Sequence, residues 1–395
     1  MKVLANDGLE KEGVEKFREA GIEIDTTKKL NLVEEIGDYD GLIIRSATKA
    51  TREIIEAGKK LKIIGRAGVG YDNVDVQAAS EHGVVVKFAP HGNTTSTAEL
   101  ALSLMFAVSR NIPQSHLSLC RGAWQKKKFV GKELTGKTLG IIGCGRIGQR
   151  LAELVSEFMI VLGYDAVPHS KLKLQFPKSK IEYVSKEELI SRSDYVSIHT
   201  GGKNMILGEK DIESMKPGAF IINASRPDNI DETALYNALA AEKLGGAAFD
   251  VHKNEPKKED EAFDSRFKGL GNVVFTSHLG ASTVEAQKNT GIEIAECVIS
   301  YLLRGDWHSS VNVGEEITAE ERRAYPIFIT NEDKPGMFGK IIDTLAKHNI
   351  NIREIKGRKL GTDNKAQAVC FVHEIPSDEV LDEIRNIPGV YNVKV

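Results

Sequence analysis

Cysteine is scarce in this chain of 395 residues: the four present, Cys120, Cys144, Cys297 and Cys370, lie far apart and form no CxxC pair. That excludes a dense disulfide framework, fits a reducing compartment and reads the four as buried thiols. Long apolar runs are missing too. Nothing approaches the roughly 20 residues of a membrane helix, and Met1-Lys2-Val3-Leu4-Ala5 enters a strand-like pattern with no apolar leader before it. A cytoplasmic location is expected. Charge of one sign is not in excess either, since 53 Lys and Arg stand against 56 Asp and Glu for a formal charge of -3. No general attraction to nucleic acid or to an anionic membrane follows, so any cationic site must be local. No internal repeat or low-complexity tract stands out, no metal site is expected, and the charge runs Lys126–Lys128 and Lys257–Glu261 read as solvated surface.

What is present is a regular alternation of short apolar runs with helical periods, on a chain long enough for two or three domains. Runs at Lys2–Ala5, Gly41–Arg45, Lys62–Arg66 and Val84–Lys87 alternate with helical patterns at Leu9–Ala20, Arg52–Ala57 and Val74–Glu81, the signature of a small parallel α/β domain. A helical pattern from Thr97 to Arg110 leads to a second set of strands at Leu139–Ile142, Ile160–Tyr164, Tyr195–His199, Ala219–Asn223, Gly246–Asp250 and Val273–Thr276. One long helix over Val284–Leu303 then carries the chain back to the first domain. The expected division is 1–94 with 285–313, enclosing 95–284, then a charged linker at 314–323 and a third domain at 324–395. A domain split in this way places a cleft between two α/β units, a common ligand location. The third domain runs Ile327–Thr330, Met337–Lys347, Ile352–Lys356, Ala368–Val372, Val380–Ile387 and Tyr391–Val395, a β-α-β-β-α-β order of ferredoxin-like type.

The most informative motif is Gly143-Cys144-Gly145-Arg146-Ile147-Gly148, between the strand at Leu139–Ile142 and a helix at Gln149–Phe158. Gly143 permits the tight turn, Gly145 lets phosphates approach the backbone, Gly148 lets helix and strand pack closely, and the helix start binds the anion. Asp165 closes the next strand about where a ribose-binding carboxylate is expected, roughly 20 residues on. Together they predict NAD. An acid there would repel the extra phosphate of NADP.

Hydride exchange between nicotinamide and an alcohol carbon needs a group that exchanges the hydroxyl proton and a cation that polarises the oxygen. Arg226 and His278 both end late strands, where open α/β sheets place their ligands. The planar fork of Arg226 suits a carboxylate. Glu255, between Asn254 and Pro256, is the expected partner of His278, fixing its tautomer and raising its pKa.

Across RSATKAT at 45–51, GRAGVGYDNVD at 65–75, GNTTSTAEL at 92–100, GIIGCGRIG at 140–148, INASR at 222–226, GAAFDVHKNEP at 246–256 and HLGASTVEAQ at 278–287, the chain resembles the D-isomer-specific 2-hydroxyacid dehydrogenases. The resemblance implies two doubly wound parallel-sheet domains, a Rossmann-like nucleotide domain inserted in a flavodoxin-like substrate domain. It puts the catalytic arginine, glutamate and histidine on Arg226, Glu255 and His278. Val69, Arg146, Ile147, Asp165, Thr200, Ala224, Ser225, Asp250 and Gly280 become cofactor neighbours, with Asp250 toward the nicotinamide carboxamide. Gly68, Val69 and Gly70 would offer backbone N–H groups to a substrate carboxylate. Arg45, Lys49 and Arg66 would supply charge for a phosphate, with Arg45 foremost. The implied reaction is NAD-dependent oxidation of 3-phospho-D-glycerate to 3-phosphohydroxypyruvate, the entry into serine synthesis. A hydroxypyruvate, glyoxylate or 2-oxoglutarate reductase and a non-enzymatic NAD-sensing interaction protein are the alternatives.

The C-terminal unit resembles ACT domains, which pair edge to edge and bind small amino acids. L-serine contacts would fall on Asn331, Asp333 and Asn351, and a homodimer or homotetramer is expected. The chain departs from the family pattern at Pro227, where glycine is usual after the arginine, at the short stretch Thr200–Asn204, and at Ser277, where proline commonly precedes the histidine. Proline at 227 fixes φ and removes a donor, so a stiffer loop is expected.

Overall fold

The computed structural model describes residues 1–202, 204–256, 260–307, 310–313, 325–360 and 364–395, so the linker expected at 314–323 lies outside the described residues. Most apolar runs become strands buried on both faces, which is why they lack polar alternation. The first sheet holds β1 (Lys2–Ala5), β2 (Glu23–Asp25), β3 (Gly41–Ile44), β4 (Ile63–Arg66) and β5 (Val85–Phe88). All pairings are parallel in the order β2-β1-β3-β4-β5, so strand order reverses between β1 and β3. The long helix Val284–Arg304 lays Ile294, Ala295 and Val298 into the core beside Val3, Ile43 and Ile63.

The second sheet contains β6 (Thr138–Ile142), β7 (Ile160–Tyr164), β8 (Glu182–Tyr183), β9 (Tyr195–Ile198), β10 (Phe220–Asn223), β11 (Gly246–Phe249) and β12 (Val273–Phe275). Its order, β12-β11-β10-β9-β6-β7-β8, is again wholly parallel and reverses between β6 and β9. The helix Thr94–Ser109 covers one face through Ala98, Ala101, Met105 and Val108. Two compact units result: Met1–Gly92 with Gln287–Val395, and Asn93–Ala286.

The third sheet is antiparallel, β14-β15-β13-β16, built from β13 (Tyr325–Glu332), β14 (Ile352–Leu360), β15 (Lys365–Val372) and β16 (Val390–Lys394). Ile327, Ile329, Ala368, Cys370 and Val372 face the helices Met337–Lys347 and Asp378–Arg385. The alternate residues, Phe328, Val369 and Phe371, turn the other way and join the core of the first sheet, where the Phe371 and Trp307 rings lie 4.3 Å apart. Polar groups close this contact. Thr330 Oγ1 donates to the carbonyl of Glu81 at 2.7 Å, Gln367 Nε2 to that of Ser80 and Lys394 Nζ to that of Leu61.

One expectation is corrected. Cys144 and Cys370 are buried, but Cys297 is only partly so and Cys120 is exposed, because its helix Ile112–Cys120 buries no side chain. Among the described residues no helix is long and apolar enough to cross a membrane.

Phe371→Ala removes a ring from a core shared by two sheets. Urea unfolding is expected to show a loss of about 3–5 kcal/mol; an unmoved midpoint would mean that the contact adds no stability.

Candidate active site

Ligands of open α/β sheets bind beyond the carboxyl ends of the strands where strand order reverses. In the second sheet that place is the turn after β6. Gly143 takes φ +94° there, and a Cβ would stand 2.6 Å from the carbonyl carbon of His199. At Gly148 a Cβ would lie 2.3 Å from the carbonyl oxygen of Gly143, so the helix Arg146–Val155 reaches the strand only because its third residue has no side chain. At Gly145 a Cβ would meet nothing within 4 Å. Open space therefore lies over the helix start, where the first-turn amides of Arg146 and Ile147 lack intrahelical acceptors. This cradle fits a pyrophosphate.

Asp165 stands just past β7 beside the same turn, with Oδ2 accepting the Cys144 amide at 2.7 Å and Oδ1 the Val167 amide at 2.8 Å. Each oxygen keeps a second lone pair for a ribose hydroxyl. On the other side of the turn, burial drives the His199 imidazole down to about 4, so it is neutral, and its Nε2 pairs with Ser197 Oγ at 2.9 Å.

The stretch after His199 is anchored by Asn229, a residue that sequence reasoning missed. Fully buried, it donates to the carbonyls of Gly202 at 3.3 Å and Asn204 at 2.8 Å and accepts from Thr200 Oγ1 at 3.3 Å. Ser225 Oγ donates to the Thr200 carbonyl, tying the ends of β9 and β10 together. Arg226 follows, its Nη1 donating to the Ser225 carbonyl at 2.9 Å while its own carbonyl accepts from Asn223 Nδ2 at 2.9 Å. Arg226 has φ -139° and ψ 139°, the extended shape favoured before proline, and Pro227 opens the short 3-10 turn Pro227–Asn229. The departure from glycine is thus accommodated without distortion.

His278 lies beyond β12 with φ +58°, a left-handed conformation uncommon outside glycine. A buried carboxylate holds it there. Asp250 Oδ1 accepts the Leu279 amide at 2.7 Å and Thr276 Oγ1 at 2.6 Å, and Oδ2 accepts the Gly280 amide at 2.9 Å. From the helix Thr94–Ser109, Ser96 Oγ and Thr97 Oγ1 donate to the Gly280 carbonyl at 2.8 and 3.0 Å. Asp250 and Gly280, expected as cofactor neighbours, therefore also shape the turn that presents the imidazole. Thr276 escaped sequence reasoning, and Ser96 and Thr97 lie within the GNTTSTAEL motif without its revealing that they hold the Gly280 carbonyl.

The imidazole and the carboxylate meet. His278 Nδ1 is 3.0 Å from both oxygens of Glu255, and Glu255 Oε1 accepts the His252 amide at 3.1 Å. His252 is fixed in turn by Nε2 on the Thr276 carbonyl at 2.8 Å. The hydrogen bond to Glu255 raises the His278 pKa above its ordinary value, with help from the charges of Glu255 and Asp250 and against burial and Arg226. Burial opposes ionisation of Glu255, yet the hydrogen bond and charge of His278 and the His252 amide keep its carboxyl below the usual range. With Nδ1 donating to Glu255, Nε2 is the nitrogen left to exchange a proton.

In the other unit, Arg45 directly follows β3, Arg66 ends β4 and Lys49 is exposed in the intervening loop. Arg66 Nη1 donates to the Ala67 carbonyl at 2.7 Å, folding back against the Gly68-Val69-Gly70 stretch. Arg45 pairs with Glu10. In the C-terminal unit, Asn331 and Asp333 line an open concavity of about 550 Å³ that also holds Lys334, Phe338 and Lys359, whereas exposed Asn351 is not part of its lining. Asn331 is 1% exposed, and its Oδ1 has no hydrogen-bond partner among the described residues.

Residues 102–280 match the model of the D-isomer specific 2-hydroxyacid dehydrogenase NAD binding domain, and residues 327–389 match the ACT domain. The D-3-phosphoglycerate dehydrogenase of Methanocaldococcus jannaschii is 43% identical over 317 residues, which are 79% of this chain and 59% of that protein. The hydroxypyruvate reductase of Thermotoga maritima is 41% identical over 76% of this chain and 98% of its own. The NAD+-bound 3-phosphoglycerate dehydrogenase structure from Entamoeba histolytica superposes with a TM-score of 0.64 at 30% identity, covering 79% of this chain and 99% of that one. The chain belongs to the D-isomer-specific 2-hydroxyacid dehydrogenase family, with an NAD-binding domain and a C-terminal ACT domain. It spans about three fifths of the length of the archaeal phosphoglycerate dehydrogenases that it matches.

Glu255→Gln takes away the charge that raises the His278 pKa. NMR titration of the imidazole is expected to show that pKa falling, and the rise of oxidation rate with pH should move to more acid values as the maximal rate drops about 100-fold. An unmoved imidazole titration would uncouple the pair.

Proposed function

We propose that the protein is an NAD-dependent D-3-phosphoglycerate dehydrogenase that oxidises 3-phospho-D-glycerate to 3-phosphohydroxypyruvate, the first step of a route to L-serine. The observation that carries the reading is the His278–Glu255 pair, Nδ1 to both carboxylate oxygens at 3.0 Å, in the same domain as the glycine cradle. NAD, when bound, accepts the hydride released from C2. His278 Nε2 takes the hydroxyl proton, so that alcohol becomes ketone with both electrons leaving as hydride. Glu255 stabilises the imidazolium that forms, and the guanidinium of Arg226 holds the developing ketone oxygen. The cofactor would be held by the amides at Arg146 and Ile147, by Asp165 on the ribose side and by Val69, Thr200, Ala224, Ser225, Asp250 and Gly280 nearer the nicotinamide. The Gly68, Val69 and Gly70 amides would take the substrate carboxylate. Arg45, Lys49 and Arg66 would take its phosphate.

A second reading, reduction of an unphosphorylated acid such as hydroxypyruvate, is favoured by one observation. Arg45, the foremost phosphate ligand, is already engaged by a carboxylate.

Asn331, which lines the ACT concavity and whose Oδ1 has no hydrogen-bond partner among the described residues, supports binding of a small amino acid there, with L-serine as the proposed effector. Self-association into a homodimer or homotetramer is supported by Ile112, Leu117 and Leu119, each more than half exposed on one helix, and by Trp124 and Val130, both 82% exposed just beyond it.

Purified protein offered 3-phosphoglycerate with NAD, beside D-glycerate and D-lactate and with the keto product trapped, is expected to turn over the phosphorylated acid fastest. Turnover of another acid in its place would reject the substrate. His278→Ala should lower kcat by about 10²–10⁴-fold and leave NAD affinity intact; an unchanged kcat would remove the imidazole from the reaction. Calorimetry is expected to detect L-serine binding that Asn331→Leu abolishes, and no heat at millimolar serine would leave the domain an assembly module.

A further inference from the structure

Strand order in the first sheet reverses between β1 and β3, the position where such sheets bind ligands. Two side chains stand at it. Arg45 directly follows β3, and Glu10, after β1, stands at the start of the helix Lys11–Glu19. Glu10 occupies the N-cap position of that helix, and its side chain accepts no first-turn amide. Both of its oxygens instead accept from one nitrogen, Nη2 of Arg45, with the two side chains only 21% and 26% exposed. Arg45 Nε is buried and has no hydrogen-bond partner among the described residues. The arginine is thus held by one corner and not closed in the two-nitrogen fork that arginine and carboxylate form at their strongest.

The other acid beside it has a different task. Asp7 Oδ2 accepts the amides of Arg45 and Thr48 at 2.7 and 3.0 Å, and Oδ1 accepts Thr48 Oγ1 at 2.6 Å, so Asp7 builds the loop. Glu10 builds no loop; what it does is match the guanidinium charge.

We propose that Glu10 is a specificity-determining residue, a resident carboxylate that competes with a substrate phosphate for Arg45. The inference rests on the reading of Arg45 as a phosphate ligand. A phosphate arriving at Arg45 brings negative charge against Glu10 and must displace it, whereas an unphosphorylated acid has no need to disturb the pair. The carboxylate therefore narrows the preference for phosphorylated over plain 2-hydroxy acids.

Calorimetry on the full chain saturated with NADH tests this, with 3-phosphoglycerate and D-glycerate as probes. Glu10→Gln keeps the shape and removes the charge, and is expected to bind 3-phosphoglycerate about tenfold more tightly, the worth of one charged hydrogen bond, with D-glycerate affinity within about twofold of the parent. In an Arg45→Gln background the same substitution should change nothing, since the competition has lost its object. Unchanged or weaker 3-phosphoglycerate binding by Glu10→Gln, an equal gain for both acids, or a gain that survives without Arg45 would each overturn the proposal. Tighter binding in a protein that fails to turn over 3-phosphoglycerate would overturn the proposed reaction and leave this inference standing. Turnover without the gain would do the reverse.

Discussion

A single buried carboxylate, Asp250, sets the geometry from which the chemistry follows. Its two oxygens take three donors from the β12 end and the turn beyond, and that turn holds His278 in a left-handed backbone conformation that a bulky residue avoids unless its surroundings impose it. The pinned backbone presents the ring, and Glu255 holds it through two equal contacts. His252 closes the ring of constraints by tying the Glu255 segment to the Thr276 carbonyl. The imidazole of His278 is therefore positioned by a hydrogen-bond network that runs through Asp250, Thr276, His252 and Glu255.

The two parallel sheets obey one rule and use it differently. In the nucleotide-binding sheet the reversal point is emptied of side chains, with glycines where atoms would collide and open space where a pyrophosphate needs room. In the first sheet the reversal point is crowded with charge, a guanidinium already facing a carboxylate. A cofactor common to many reactions calls for a bare backbone surface. On the proposed reading of Arg45, a substrate chosen from similar acids calls for side chains that discriminate.

Much of this was legible in the sequence. Strands buried on both faces announce themselves as short β-branched runs, and the glycine spacing encodes steric necessities, so β6, its turn and its helix were placed from residue types alone. Arg226 and His278 could be singled out as polar residues just past strand ends, and Glu255 as a loop carboxylate within reach of an imidazole. The pairing of Glu255 with His278 was an expectation from chemistry; its geometry, Nδ1 equidistant from both carboxylate oxygens, was not legible, because residues far apart in the chain carry no signal of distance. Asn229 and Ser96 do their work through hydrogen bonds to distant carbonyls and Thr276 through one to the Asp250 carboxylate, and such bonds leave no periodic trace. The two-residue β8 is too short to show a period, and Cys120 shows that a residue type alone does not settle burial. At Glu10 nothing local reveals that its partner lies at residue 45.

The C-terminal sheet carries apolar residues on both of its faces, one against its own helices and one against the first sheet. Lost from the chain, it would strip cover from Trp307, Tyr301 and Val298 and leave the carbonyls of Leu61, Ser80 and Glu81 without the side chains that now satisfy them. The terminal segment is thus no detachable cassette: trimming or transplanting it would require re-tailoring the surface beneath.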